Sequence, residues 1–299
     1  MRAASLNFRD LLISKTPRTA PLVPLCDGAG EVAETGPGVS SIKAGDRVAG
    51  NYFQDWVSGP LTPGVFRTVL GQTIDGVLAE YAVLKEHGAV RIPEHLSFEE
   101  AAALPCAGLT AWQALVTLGQ IKAGDTVVVM GTGGVSIFAL QFALMGGARV
   151  IATTGSESKM ERLQSMGASA VINYKTTPDW DKRVLELTGG IGADHVVEVG
   201  GAGTLPRSLR AVRHGGFISM IGVLGGAGEK FSPGGIILKG VRLQGIFVGS
   251  TQMFEDMNRA IAANRMRPVV DRVFQFEETP QAYAFLESGR HFGKVCIRI

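Results

Sequence analysis

Between Asp125 and Gly155 the hydrophobic pattern changes period twice. Thr126-Val127-Val128-Val129-Met130 is a β-branched, nearly unbroken apolar run, which predicts a strand buried on both faces. A glycine cluster follows, Gly131-Thr132-Gly133-Gly134-Val135-Ser136, and then an apolar stretch of helical length from Ile137 to Met145. A second β-branched run, Arg149 to Thr154, comes next. Strand, glycine turn, helix and strand make a βαβ unit. The interrupting glycines, Gln141 and the β-branched runs fit it better than a single membrane-crossing helix.

The same alternation continues downstream. Glu157 to Met166 is an amphipathic helix, with Met160, Leu163 and Met166 on one face. Strands are predicted at Ala170–Tyr174, Asp194–Val199, Gly216–Ile221 and Val241–Val248, with helices at Trp180–Thr188 and Leu205–Val212. This predicts an α/β domain, a doubly wound parallel sheet of about six strands. Residues 1–104 read differently. Val23–Leu25, Glu31–Ala33, Asp46–Ala49 and Ala79–Leu84 are short strand candidates punctuated by glycine. Asn51 to Gly71 reads as a long ordered loop. Ser97 and Glu100 form a capping box that starts a helix, and Leu109 to Leu118 is a second, apolar one. A helix from Phe254 to Asn264, strands at Val269–Phe276 and Lys294–Ile299, and a helix from Pro280 to Ser288 return to the first domain.

Composition narrows the function. The chain has 299 residues, is 45% apolar and 19% charged, and suits two domains with sizeable cores. A net charge of +2 without a basic cluster gives no footprint for nucleic acid. Three cysteines exclude a disulfide framework and point to a reducing, cytoplasmic setting. No signal peptide and no membrane span are expected.

The glycine turn carries the chemistry. Gly131 permits the tight turn, Gly133 lets backbone approach a pyrophosphate, and Ser136 is small enough for the helix to pack close. The helix start, with Thr132, Gly134 and Val135, offers N–H groups to phosphate. At the end of the second strand, Thr154 stands where an NAD enzyme carries an acid for the ribose hydroxyl. Ser156 and Lys159 follow and can meet a 2′-phosphate, which points to NADP(H). The five histidines form no metal-spaced motif, and no nucleophile elbow is present.

With these pieces the chain resembles the medium-chain dehydrogenase/reductase superfamily, its zinc-type alcohol dehydrogenases and quinone oxidoreductases. The matching segments are Ala4–Asp10, Asp27–Val32, Lys43–Val48, Ala107–Trp112, the glycine turn, Val171–Tyr174 and Phe292–Val295. The resemblance implies a GroES-like β-rich catalytic domain over 1–106, completed by 250–299, and a Rossmann domain over 107–249. It implies hydride transfer to a small carbonyl, enone or quinone substrate between the two. It further implies cofactor contacts at Thr110, Tyr174, Gly222, Gly249, Ser250 and Lys294. Asn7 and Asp10 would line the reaction site, and Asn7 can donate to a substrate carbonyl as charge develops on it. Both residues also commonly just fix turns.

Two departures from the family pattern shape the expectation. The catalytic zinc ligands of the family are usually two cysteines and a histidine. Here Asn7 and Cys26 stand at the first two positions and only Cys106 keeps its type, so no metal is assigned. Cys26, Cys106 and Asp27 or Asp10 remain the only donors for the alternative, a zinc-dependent alcohol dehydrogenase. A further alternative is a catalytically silent NADPH-binding protein. Members also usually begin a few dozen residues earlier. Leu6, Phe8 and Leu11 are therefore expected to lose cover and the catalytic domain to be looser than the Rossmann domain. The apolar strand Val241–Val248 is expected at a sheet edge, pairing two subunits into a homodimer as in the resembling family.

Overall fold

The computed structural model describes residues 1–17, 20–224 and 233–299. It divides into two compact units, Met1–Leu109 with Val248–Ile299, and Thr110–Phe247.

The first unit is built on a six-stranded sheet. Its strands are β1 (Ala3–Leu6), β2 (Asp27–Glu31), β3 (Arg47–Gly50), β4 (Ala89–Arg91), β11 (Val270–Gln275) and β12 (Lys294–Arg298), in the order β11-β12-β1-β2-β3-β4. Only β11 and β12 run parallel. The first strand is an interior one, with Ser5 opposite Cys296 on one side and Asp27 on the other. Leu6 and Leu11 are buried, and only Phe8 of the three is open, at 47% exposure. Leu6 and Leu11 are thus covered, contrary to the expectation, and β1 itself is flanked by β2 and β12 on both sides.

Two predicted strands do not form, and of Glu31–Ala33 only Glu31 is extended, as the last residue of β2. Val23–Leu25 makes none, since Leu25 takes a left-handed φ of 67° that no extended strand allows. The carbonyls of Val23 and Pro24 instead accept from Gly76 and Leu78. Ala79–Leu84 also makes none, and Tyr81 and Val83 face outward. The capping box of Ser97 and Glu100 is made as expected, each side chain accepting from the other's backbone N–H.

The second unit is a parallel sheet of β5 (Thr126–Met130), β6 (Arg149–Thr154), β7 (Ala170–Asn173), β8 (Ala193–Glu198), β9 (Val212–Met220) and β10 (Arg242–Gly245). Their order is β10-β9-β8-β5-β6-β7, and every neighbouring pair is parallel. This is the doubly wound order in which the chain reverses direction between β5 and β8. Val128, Ile151, Val196 and Ile218 pack with Trp180, Val184, Leu205 and Leu209 from the helices Trp180–Leu187 and Leu205–Ala211. Phe138 and Phe142 of the helix Gly134–Met145 stack at 5.9 Å, and Trp112 meets Phe142 edge-on at 5.4 Å. The segment predicted as the helix Leu109–Leu118 is wider than an α-helix over Gln113–Thr117. The last strand is shorter than Val241–Val248 but does lie at the sheet edge. No helix among the described residues is long and apolar enough to cross a membrane.

Candidate functional site

In the second unit the site grows from the end of β5. Gly131 adopts φ 76°, left-handed and open to glycine at no steric cost. A Cβ on Gly131 or Gly133 would meet nothing within 4 Å, so bare backbone faces open space there. Gly133 caps the helix Gly134–Met145 without a side-chain acceptor, which leaves its first N–H groups for an outside partner. Ser136 is buried and donates to the Met130 carbonyl at 2.6 Å, which clamps helix to strand. Thr132 is buried beside them, and Val135 lies in the first helical turn. An open, side-chain-free turn at a helix N-terminus fits the pyrophosphate of a dinucleotide.

The end of β6 completes this region. Thr153 and Thr154 are buried, and Thr154 Oγ1 accepts from the Ser156 N–H at 3.2 Å. Ser156 and Ser158 hydroxyls are 2.9 Å apart. Tyr174 N–H donates to the Thr154 carbonyl, and a Cβ on Gly155 would lie 2.5 Å from the Tyr174 hydroxyl. Thr154, Ser156 and Tyr174 are thus brought together, with Lys159 closing the short turn Glu157–Lys159. Gly222 follows β9, where a Cβ would sit 2.2 Å from the Val199 carbonyl. Thr110 is buried in the helix Leu109–Trp112.

The first unit holds the other candidates. Beyond the register that sets Leu6 opposite Val295 and Ser5 opposite Asp27, the chain brings Asn7, Asp27 and Lys294 together. Lys294 is 2% exposed, and its Nζ donates to Leu6 O at 2.9 Å, Asn7 Oδ1 at 2.5 Å and Asp27 Oδ2 at 3.3 Å. Asn7 Nδ2 donates to Asp27 Oδ2 at 2.8 Å and lies 3.7 Å from Cys26 Sγ. Lysine only donates and carboxylate only accepts, so the Asn7 amide has one possible orientation. Burial works against the charge on Lys294, but neighbouring groups, Asp27 foremost, hold its pKa above the ordinary lysine value. Asp10 Oδ2 accepts from the Asn7 N–H at 2.8 Å, at the start of the helix Phe8–Ser14. Burial pushes Asp10 up to about 6, against the pull of Arg9 and the Asn7 N–H. Arg9 stacks over Tyr52 at 5.0 Å.

Leu25, in its left-handed conformation, delivers Cys26 and Asp27 into this cluster. Donor atoms of Cys26, Asp27 and Cys106 lie within 4.8 Å of one another. Burial raises the Cys26 thiol well above its usual range, and Sγ donates to Asp27 Oδ1 at 3.2 Å. Gly249 and Ser250 also belong to this unit. Ser250 is buried and caps the helix Thr251–Ala263, accepting from Met253 N–H. By sequence Lys294 reads as a cofactor contact, whereas in the structure its ammonium engages three oxygens of the chain itself. Asp27 reads by sequence only as a metal ligand, yet it is the anionic centre of the cluster. The signal that could have found it is the pairing of a buried-strand lysine with an Asp-Gly strand.

A dinucleotide turn on a doubly wound sheet, joined to a β-rich unit with a buried polar cluster, defines a nicotinamide-dependent dehydrogenase. Comparison with known proteins places it. Residues 1–94 match the Alcohol dehydrogenase GroES-like domain and residues 134–263 the Zinc-binding dehydrogenase family. A zinc-type alcohol dehydrogenase-like protein of Schizosaccharomyces pombe is 45% identical over 311 residues, spanning 100% of this chain and 89% of that one. A crystal structure of an NAD-dependent alcohol dehydrogenase is 36% identical with a TM-score of 0.90, covering 100% of this chain and 90% of that one. The 2-methylene-furan-3-one reductase of Solanum lycopersicum is 30% identical, over 99% of this chain and 69% of that protein. The chain belongs to the medium-chain dehydrogenase/reductase superfamily and is an oxidoreductase.

Proposed function

We propose that this protein is an NADPH-dependent reductase of enones, quinones or aldehydes that works without zinc. The observation that carries the cofactor choice is the end of β6. No carboxylate stands there to hold a ribose hydroxyl, and Thr154, Ser156 and Tyr174 gather instead. A 2′-phosphate accepts from such hydroxyls and from a lysine such as Lys159. The NAD-dependent relative makes the opposite choice the one to exclude. Titration by nicotinamide fluorescence should give NADPH at least about tenfold tighter binding than NADH, the effect of one charge-assisted contact. Lys159→Ala should erode that gap. Equal affinities, or tighter NADH, would refute the assignment.

The bound nicotinamide supplies the hydride. This chain's part is to bind, orient and stabilise. Asn7 Nδ2 gives one N–H to Asp27 Oδ2 at 2.8 Å and the other, in a weaker bond, to Cys26 Sγ at 3.7 Å. That second N–H is the donor for a substrate oxygen as negative charge develops on it. The enone part of the substrate class draws on the furanone reductase relative.

A zinc-dependent alcohol dehydrogenase is the second reading, favoured by the closeness of Cys26, Asp27 and Cys106. The cluster does not fit a catalytic zinc. Both Asp27 oxygens already accept, from Cys26, Asn7 and Lys294, and a dication would sit beside a buried ammonium. The chain itself satisfies the Asp27 carboxylate that a metal would need.

A cytoplasmic homodimer completes the proposed reading. The edge strand β10, with exposed Ile237 and Leu238 in the neighbouring helix Gly234–Lys239, is the surface for it. Light scattering at micromolar concentration should give a dimer mass; a monomer mass would count against it.

A further inference from the structure

At the point where the doubly wound sheet reverses direction, the loops after β5 and β8 flank the crevice that receives the cofactor. The loop after β5 is the glycine turn. The loop after β8 begins at Glu198, an ionisable residue with no exposed surface at the end of a buried strand. An unpaired carboxylate there would be strongly destabilising. Glu198 is instead fully used. Its Oε1 accepts from Gly200 N–H at 2.7 Å, Gly201 N–H at 3.0 Å and Thr204 Oγ1 at 2.6 Å. Its Oε2 accepts from the Ser208 hydroxyl. The backbone carbonyl of Glu198 meanwhile accepts from Ile221 N–H at 2.9 Å and Gly222 N–H at 3.3 Å, from the loop after β9.

The geometry around these bonds leaves little slack. Gly201 has φ 84°, and a Cβ there would lie 2.9 Å from the Gly222 carbonyl. The loops after β8 and β9 therefore touch backbone to backbone. Ser208 also reaches the Met130 sulfur at 3.8 Å, and Met130 is the residue whose carbonyl Ser136 clamps at the glycine turn. A line of contacts runs from Glu198 through Ser208 and Met130 to the phosphate-binding turn.

We infer that Glu198 is a positioning residue for the nicotinamide cofactor: its carboxylate holds the loop Val199–Gly203 in the cofactor-receiving conformation and braces it against the Gly131 turn. The inference rests on membership of a nicotinamide-dependent family and not on the choice between NADP and NAD. A loop that samples other conformations binds with an affinity reduced by the fraction of time it is competent. Removing the charge weakens the bonds to Gly200 and Gly201, since hydrogen bonds to an ionised acceptor are about twice as strong as neutral ones.

The test is Glu198→Gln beside Ser208→Ala. Wild-type binding of NADPH and NADH is measured first; failure there concerns the cofactor proposal, not Glu198. Glu198→Gln keeps the shape and should raise the Kd of whichever cofactor binds by about tenfold. Its kcat at saturating cofactor should stay within about twofold and its thermal midpoint within a few degrees. Ser208→Ala, which leaves both loop amides on Glu198, should raise Kd by a few-fold only. A lowered thermal midpoint with unchanged Kd in Glu198→Gln would reduce the residue to a fold-stabilising role and overturn the inference. If Glu198→Gln does not fold, an unchanged Kd in Ser208→Ala overturns it equally.

Discussion

Lys294 Nζ lies 2.5 Å from Asn7 Oδ1, and Asn7 Nδ2 lies 2.8 Å from the carboxylate that Lys294 also approaches. Lysine, amide and Asp27 form a closed triangle with no exposed member, so the amide's direction is set by charge. Lys294→Met keeps the length of the side chain and removes the cation. Breaking a buried pair in this way costs ~3–5 kcal/mol. Urea unfolding should show that loss, and turnover should fall because Asn7 can then rotate. NADPH binding should survive better than turnover. A stability change under about 1 kcal/mol, the usual value of an exposed pair, would contradict the closed triangle.

Asp10 predicts a pH dependence. Burial raises its pKa from the ordinary 3.8 to about 6, so between those values the folded state holds a proton that the unfolded state has released. The Asp10 contribution to stability should therefore be highest below the unfolded value and fall as pH rises from about 4 to about 6, levelling above. A rise of this size corresponds to roughly 3 kcal/mol at most. Denaturation curves across pH 4–7 should show the wild type losing stability relative to Asp10→Asn as pH rises, while buried His195, whose pKa is lowered, adds the same rise to both proteins. A wild-type stability that rises through this window, with Asp10→Asn moving in parallel, would contradict the assignment.

Zinc content is the next expectation. With Asp27 already bonded on both oxygens, elemental analysis of protein purified without chelator should give well under one zinc per chain. Cys106→Ser should retain most activity. One full equivalent of zinc, lost together with activity in Cys106→Ser, would favour the zinc-dependent reading.

The interior position of β1 changes the expected pattern of hydrogen exchange. Its residues Ala3 to Leu6 are buried and paired with β2 and β12. They should exchange as slowly as Thr126–Met130 of β5, while Tyr81 and Val83 exchange fast. Rapid exchange of Ala3–Leu6 would show that β1 is held less firmly than its pairing implies.

The Rossmann half was the more legible part of the chain. Parallel strands buried on both faces read as apolar β-branched runs, and Thr126–Met130 and Arg149–Thr154 lie where such runs place them. The β-rich half was less so. Val23–Leu25 has the composition of a strand but bends at Leu25, and Ala79–Leu84 forms no strand despite its β-branched and aromatic residues. The first outcome is not encoded in a local period, because it depends on the distant segment Gly76–Leu78 closing onto Val23–Leu25. The glycine turn and the missing acid at Thr154 were visible because each is a local motif. The Lys294–Asn7–Asp27 triangle was not, since its members are separated by up to 287 residues and meet only through strand register.

The most direct measurement follows NADPH absorbance with metal-free protein against a panel of enones, quinones and aldehydes. A zinc-independent NADPH reductase should show substrate-dependent oxidation of NADPH. Its kcat/KM should be at least about tenfold higher than with NADH, as one charge-assisted contact to the 2′-phosphate requires. Tight NADPH binding without turnover on any member of the panel would leave only a cofactor-binding protein, and activity that appears only on adding zinc would contradict the zinc-independent reading outright.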